Sequence, residues 1–550
     1  MVPLLGESVG GRDRLYEAFM RRLAVLAALA LLATVVGFGP GSRGVALGAG
    51  GSTLNRPEDP VVLTGADVPS LAGIAPGDVV AFRYDTAWVQ IPVQVDERDV
   101  KTFGAVYNNS LPPVYNAHMA VSALQYTDAN TWTGADSNPT LDSNDEIAFM
   151  ANDAGGPPPS FSQPTGIVSN SGVQVKITDP LAGGQTGYVY LFRQDGSLTP
   201  GAGQSYVSYT FSLNSGAYKT TYTLGDTHTA LAGNPENSTI VTPNYTYHFG
   251  DRWQEDGITI SVGGATNVDI LDRHKAMYAP GFCGRSEDTF DGYVNTLPIE
   301  GAFVVNKSGP VRAIRSYVGA NSGPITEREH IFYARRQDTR TFLRVHSIPS
   351  VMDVFDYSSA ASGMTYYNDL NVAGVTIDGT PDTVVAGQFQ WQMVTGAQGT
   401  LVQAASVSTN IPGFAYTSYY YDQAPAITTQ CNNDPNSYGS SGAWVNPGGS
   451  GIPCTDPGTN CTNYMNTTSV LYYEAPGASV ASAQALNNDA KTALTYTLQA
   501  WQNLTPGVGG IAEAATPLAP SGGAGTRNPF VLALVASAGA GGLLLMARRR

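Results

Sequence analysis

From residue 79 to about residue 409 the chain is a succession of short runs rich in Val, Ile, Thr, Tyr and Phe. Each is cut off by Gly, Pro, Asn or Asp. "DVVAFRYDTAWVQIPVQVDERDV" (78–100) holds two such runs with alternating polarity. A period of two in β-branched and aromatic residues predicts half-buried strands. "EIAFMA", "GVQVKITD" and "GYVYLFRQ" add three more before "DGSLTPGAGQ" (195–204), the richest turn segment and the best internal boundary. Strand-like runs resume in "SYVSYTFSL", "STIVTPNYTYHFG", "GITISVGG", "GAFVVNKSGPVRAIRSYVG", "QFQWQMVTG" and "GTLVQAASVS". "SAQALNNDAKTALTYTLQAWQN" (482–503) fits helix or strand. With 62 Gly, 35 Pro and only 13% charged residues, the chain lacks the straight-chain residues that long helices need. No fixed-period repeat points to a propeller or solenoid. The expected fold is all-β, an N-terminal β-sandwich over 51–203 and a larger antiparallel two-layer β-sandwich over 204–503.

The two ends read differently. Residues 1–49 form an extension and a signal peptide, with Arg21 and Arg22 before an apolar run from Leu23 to Phe38 and then small residues. Residues 504–528 are a Pro/Gly/Ala linker, and 529–550 an apolar stretch ending in Arg548, Arg549 and Arg550. That stretch just reaches the length of a membrane span, and its arginines belong on the cytoplasmic side. The pattern resembles the C-terminal sorting tails of bacterial and archaeal surface proteins, without an LPxTG-type motif. It implies an exported protein held at the cell surface, with the membrane as a partner through this tail. The formal charge of −15 argues against nucleic acid as a partner. Four cysteines with no CxxC pair fit two disulfides in an oxidising compartment. Three pairings exist, and Cys454–Cys461 with Cys283–Cys431 is preferred.

Charge is scarce except in "EREHIFYARRQDTRTFLRVH" (327–346), which has five arginines, two glutamates, one aspartate and two of the six histidines. Taking "QDTR" as part of a hairpin turn sets Arg335 opposite Thr341. His330 then faces His346, and Phe332 faces Arg344. Arg328, His330, Phe332, Phe342, Arg344 and His346 share one face, while Glu329, Ile331 and Tyr333 form the core face. The charged face is open to three readings: a solvated strand face, a groove for an anionic glycan, or a metal pair still wanting a third ligand. Glycan recognition suits it because Arg grips carboxylate or sulfate through a planar fork and aromatic faces stack on sugar rings. Arg328, Phe332, His274, Arg273, Tyr366 and Tyr367 are the candidate binding residues. The broad β-domain resembles, by architecture, mutarotase-like proteins and some polysaccharide lyases. A lyase would need His330 or His346 as base, Arg344 on the uronate carboxylate, and Tyr278 or Tyr333 as acid. Glu327 and Glu329 are too close in sequence for a glycosidase pair.

"DANTWTGADSNPTLDSNDEIAFMANDAGG" (128–156) gathers Asp136, Asn138, Asp142, Asn144, Asp145 and Glu146, oxygen ligands that a structural calcium could use. Asx-rich turns also occur without metal, and no EF-hand spacing is present. The sequence therefore describes a secreted, surface-anchored β-sandwich protein that binds an extracellular polysaccharide or cell-envelope polymer, most plainly an acidic glycan. A polysaccharide lyase built on His330, Arg344 and His346 is one alternative, and a structural surface-layer or adhesion protein is the other.

Overall fold

Short β-branched runs with frequent turns can bury their apolar faces only by stacking sheets, and the chain does so in several layers. A computed structural model describes residues 51–103, 122–158, 162–213, 236–250, 255–277, 301–319, 326–343, 351–410, 416–424, 437–445 and 464–501. Tyr278, Arg344, His346, the four cysteines and both chain ends lie outside these residues.

The described residues hold 27 strands and one α-helix. The first nine strands are β1 (Pro60–Thr64), β2 (Val79–Tyr84), β3 (Trp88–Ile91), β4 (Gln94–Asp96), β5 (Arg98–Thr102), β6 (Ser122–Tyr126), β7 (Glu146–Met150), β8 (Val173–Thr178) and β9 (Thr186–Arg193). Next come β10 (Ser208–Thr210), β11 (Ser238–Val241), β12 (Tyr245–Phe249), β13 (Glu255–Ile260), β14 (Leu271–Met277), β15 (Gly301–Ser308), β16 (Ala313–Gly319), β17 (Glu327–Phe332), β18 (Arg336–Leu343) and β19 (Val351–Tyr357). The last are β20 (Thr365–Asn368), β21 (Asn371–Thr376), β22 (Trp391–Gly396), β23 (Gly399–Thr409), β24 (Tyr416–Gln423), β25 (Ser437–Val445), β26 (Met465–Glu474), helix α1 (Val480–Lys491) and β27 (Thr495–Ala500).

All pairings between these strands are antiparallel, as the sequence predicts. A nine-stranded sheet runs β15-β16-β17-β18-β26-β23-β22-β20-β21. One of its faces packs on β10-β11-β12-β13 and β14-β19-β25-β24. There His330 of β17 meets Phe249 of β12, and Tyr473 of β26 stacks on Tyr245 at 3.7 Å. The other face meets the N-terminal part of the chain, where Gln125 of β6, in the two-stranded sheet β5-β6, bonds Glu327 of β17 at 3.0 Å. Farther along, α1 seals that face by packing Ala483, Leu486 and Ala490 against Trp391, Val402, Val470 and Tyr472.

The N-terminal sandwich sets β1-β7-β4 against β27-β8-β9-β2-β3. β7 stands between two cores. Ile147 and Phe149 point into the sandwich, and Ala148 and Met150 into the larger body. The segment that fitted helix or strand is one after the other. Ser479 caps α1 by accepting from Ser482 N at 3.1 Å. β27 then pairs with β8 of the first sheet, Thr495 opposite Thr178. The chain after 203 therefore does not stay in the larger body, and its last strand completes the N-terminal sheet.

Buried ions tie the layers together. Arg312, 1% exposed, holds Asp96 at 2.7 Å and Glu146 at 2.8 Å, and its backbone N–H donates to Gln94 Oε1 at 3.0 Å. Arg336 pairs with Asp59 at 2.8 Å. Arg56, itself paired with Asp59, donates to the carbonyls of Asp489 and Thr492 at the end of α1. Arg312→Ala should destabilise the fold by about 3–5 kcal/mol, because it leaves buried Asp96 without its cation and Glu146 with Arg98 alone. Equilibrium unfolding in urea checks this, and a change under 1 kcal/mol (about the worth of an exposed ion pair) would contradict it.

Candidate functional site

The 327–346 segment is a hairpin, but its turn lies earlier than the alternation implies. Tyr333 N donates to Arg336 O at 2.8 Å, so Ala334 and Arg335 form the tip and "QDTR" lies in β18. His330 therefore faces Thr339, and Phe332 faces Gln337. The physical reason is burial. All six residues of β17 are buried, on both faces, so alternation of polarity has no exposed face to mark. Neither the solvated strand face nor an open groove along it survives. Arg328, Glu329, Arg336 and Asp338 are buried and ion-paired, and Arg335 and Arg340 are half-buried and paired.

On the N-terminal side, Glu329 pairs with Arg340 at 2.9 Å. On the other side, Glu255 Oε2 lies 2.7 Å from His274 Nδ1, and His274 Nε2 lies 2.5 Å from Asp353 Oδ1. Arg328 Nη2 sits over the same imidazole, 2.9 Å from Nδ1 and 3.1 Å from Nε2, and 3.4 Å from Asp353 Oδ1. Phe355 stacks on the far side of the ring at 4.3 Å. His330 Nε2 is 3.1 Å from Glu255 Oε1, close in distance but off the hydrogen-bond line. Its Nδ1 faces Gln337 Nε2 and Thr339 Oγ1.

Burial and charge set the protonation pattern. Burial raises the Glu255 carboxyl, but chiefly His274 and Arg328 outweigh it and hold it at about 2. Burial likewise opposes ionisation of Asp353, and Arg328 and His274 win, so it stays well below the usual carboxylate range. His274 is pushed down by burial and further up by Glu255 and Asp353. His330 is driven well below the ordinary imidazole value, chiefly by burial, and stays neutral. Two cations and two anions thus close on each other.

Arg328 and Asp353 also line a cleft between the two layers. Its walls are Thr341, Gln403, Ala405, Ser406, Met465, Thr467, Thr468 and Ser469 from the nine-stranded sheet, and Tyr416, Ala443 and Val445 from the facing one. The cleft is narrow, with an interior of about 30 Å³, room for a hydroxyl or hydroxymethyl group rather than a sugar ring. It lies where the chain leaves β14, β16, β18, β23 and β25 and enters β15, β17, β19, β24 and β26. Segments leaving one end of a sandwich are where binding residues usually sit.

The structure brings together two of the sequence's candidates, Arg328 and His274. His330 and Phe332 adjoin them but are fully enclosed, so His330 cannot meet a polymer as a base. Arg273 points away beside Asp272. Tyr366 is buried against Tyr420, and Tyr367 packs toward α1. Both are on β20, five strands from β17 and so about 24 Å away. In the acidic loop, Asp136, Asp142 and Asp145 accept backbone N–H groups of Asn138, Asn144 and Arg98, and Asn138 donates to Asp142. Glu146 is taken by Arg98, Arg312 and Tyr126. No group of three His, Cys, Asp or Glu side chains among the described residues is placed to hold a metal ion. Asp353, Glu255 and Thr341 were not singled out from sequence. Their only signal was an acid or hydroxyl on the inward parity of an apolar strand.

No family model matches the chain, and no curated protein matches it. Among solved structures, a candidate aldose 1-epimerase from Escherichia coli K12 matches at 13% identity, over 42% of this chain and 96% of that one, with a TM-score of 0.22. A likeness that slight carries no argument about this chain's chemistry.

Glu327 stands apart from the ion pairs. It accepts from Ser316 Oγ at 2.6 Å and Gln125 Nε2 at 3.0 Å, and pairs with no cation among the described residues. Burial, and then the Glu329 charge, raise its carboxyl to about 8. Between about 4.5 and about 8 the unfolded chain gives up this proton while the folded chain keeps it, so stability falls as pH rises through that window. Glu327→Gln should flatten that slope, raising the melting temperature by several degrees at pH 8 and hardly at all at pH 4.5. Equal slopes for both proteins would contradict the assignment.

Proposed function

We propose that this is an exported, C-terminally membrane-anchored protein that binds an extracellular glycan at the cleft end of its larger β-body. The observation that carries the reading is the cleft itself. A fixed Arg328–Asp353 pair, backed by His274 and Glu255, stands beside Thr341, Gln403, Thr467 and Ser469 in a cleft otherwise walled by Ala405, Tyr416, Ala443, Val445 and Met465, at the end of the sandwich where the chain leaves its strands. That is hydrogen-bonding equipment for a polyhydroxylated chain lying across the mouth with one substituent inserted. Export and anchoring rest on the signal-like residues 1–49 and the apolar, arginine-ended 529–550. Among the described residues no helix is long and apolar enough to cross a membrane.

Binding is favoured over cleavage by the state of the nearest titratable groups. A lyase base must be unprotonated and in reach of substrate. His330 is neutral but enclosed. His274 is held as a cation between two carboxylates. Asp353 reaches the cleft but is a weak base, because Arg328 and His274 lower its proton affinity.

The test is titration of the purified full-length chain against a polysaccharide panel, with ultraviolet absorbance recorded for unsaturated uronates. The expected result is saturable binding without absorbance change, weakened at least about tenfold by Asp353→Asn. Rising absorbance would make the protein a lyase. Failure to bind any polymer would leave the structural surface role.

A further inference from the structure

The cleft's own charges bear on which kind of glycan it takes, an inference that rests on the glycan-binding reading above. Arg328, the cation of the wall, is 2% exposed and already faces Asp353 and the His274 ring. Asp353, with its side chain 19% exposed, puts a carboxylate in the same opening. Every other side chain lining the cleft is uncharged. An inserted carboxylate or sulfate would approach Asp353 at close range and would leave the buried group with one anion in excess, a costly arrangement at low dielectric. An inserted cation would meet Arg328 in the same way.

A second observation points to a ligand group. Thr341 is 6% exposed, lines the cleft, and its Oγ1 is buried without a hydrogen-bond partner among the described residues. Buried hydroxyls are rarely left so. Thr341 lies directly opposite Arg328 across the β17–β18 ladder, so the hydroxyl and the Arg328–Asp353 pair stand at one spot. A hydroxyl can donate and accept at once. We propose that the deep end of this cleft seats one hydroxyl or hydroxymethyl group of a neutral glycan, donating to Asp353 and bonded by Thr341 Oγ1. The acidic glycan that the arginine-rich sequence pointed to is thereby disfavoured, because the arginine in the cleft is already matched by an acid of this chain.

The test compares the full-length protein and Thr341→Val on neutral hexose polymers and on carboxylated, sulfated and amino-bearing polymers of matched length. Valine keeps the shape of threonine and removes the orphan hydroxyl, so the variant should be as stable as the parent or slightly more so. The expected result is that neutral polymers bind best and that the variant loses about fivefold in affinity for them while its melting temperature holds or rises. Tighter binding of a charged polymer, or equal affinity of variant and parent for the neutral one, would overturn the hydroxyl assignment and leave glycan binding standing. No binding of any polymer would overturn both.

Discussion

The structure depends on covering the β17–β18 hairpin from both sides. A strand pair in the middle of a nine-stranded sheet, roofed by one set of sheets and floored by another, has no solvent face on which to place charge. Each ion in it must be matched, within the hairpin as for Glu329–Arg340 and Arg336–Asp338 or from a neighbouring layer, because a lone buried charge costs several kcal/mol. Glu255 and Asp353 supply the match on one side. On the other, Arg312 with Asp96 and Glu146, and Arg336 with Asp59, continue the same arrangement outward into the N-terminal sandwich. Such pairs add less to stability than apolar packing would, but they are specific. The observed stacking of these layers brings these partners within reach, so the charges match the arrangement that the apolar contacts stabilise.

That specificity extends to the cleft. Arg328 and Asp353 are held in place because the groups behind them are themselves held: His274 between two carboxylates and against Phe355, and His330 by Gln337 and Thr339. Ligand-facing groups fixed by a packed and hydrogen-bonded support bind without paying to order themselves. The wall of the cleft is thus an extension of the interior, reaching the surface at the end where the strands of both sheets are entered and left.

The strands were largely legible. β8 alternates buried and half-buried residues along its length, and β7 follows "EIAFM" residue for residue. The all-β class and the antiparallel pairing followed from runs of this kind. The register of the charged hairpin was not legible, because alternation marks a register only where one face is wet. The return of β27 to the first sheet was hidden for a different reason, since a strand's partner 317 residues away leaves no local trace. The site was half legible. Arg328 and His274 stood out as charges in a charge-poor chain, whereas Asp353 and Thr341 belong to ordinary strand sequence and acquire their role only from what the sheets bring opposite them.

The central claim is that the charged hairpin is interior framework and that function lies at its end. Amide hydrogen exchange of β17, residue by residue, tests it most directly. The account predicts that Arg328–Phe332 exchange only through global unfolding, with protection as strong as that of β7 and β26. Exchange of these amides at the rate of exposed strands such as β21, under conditions where the fold is intact, would contradict it.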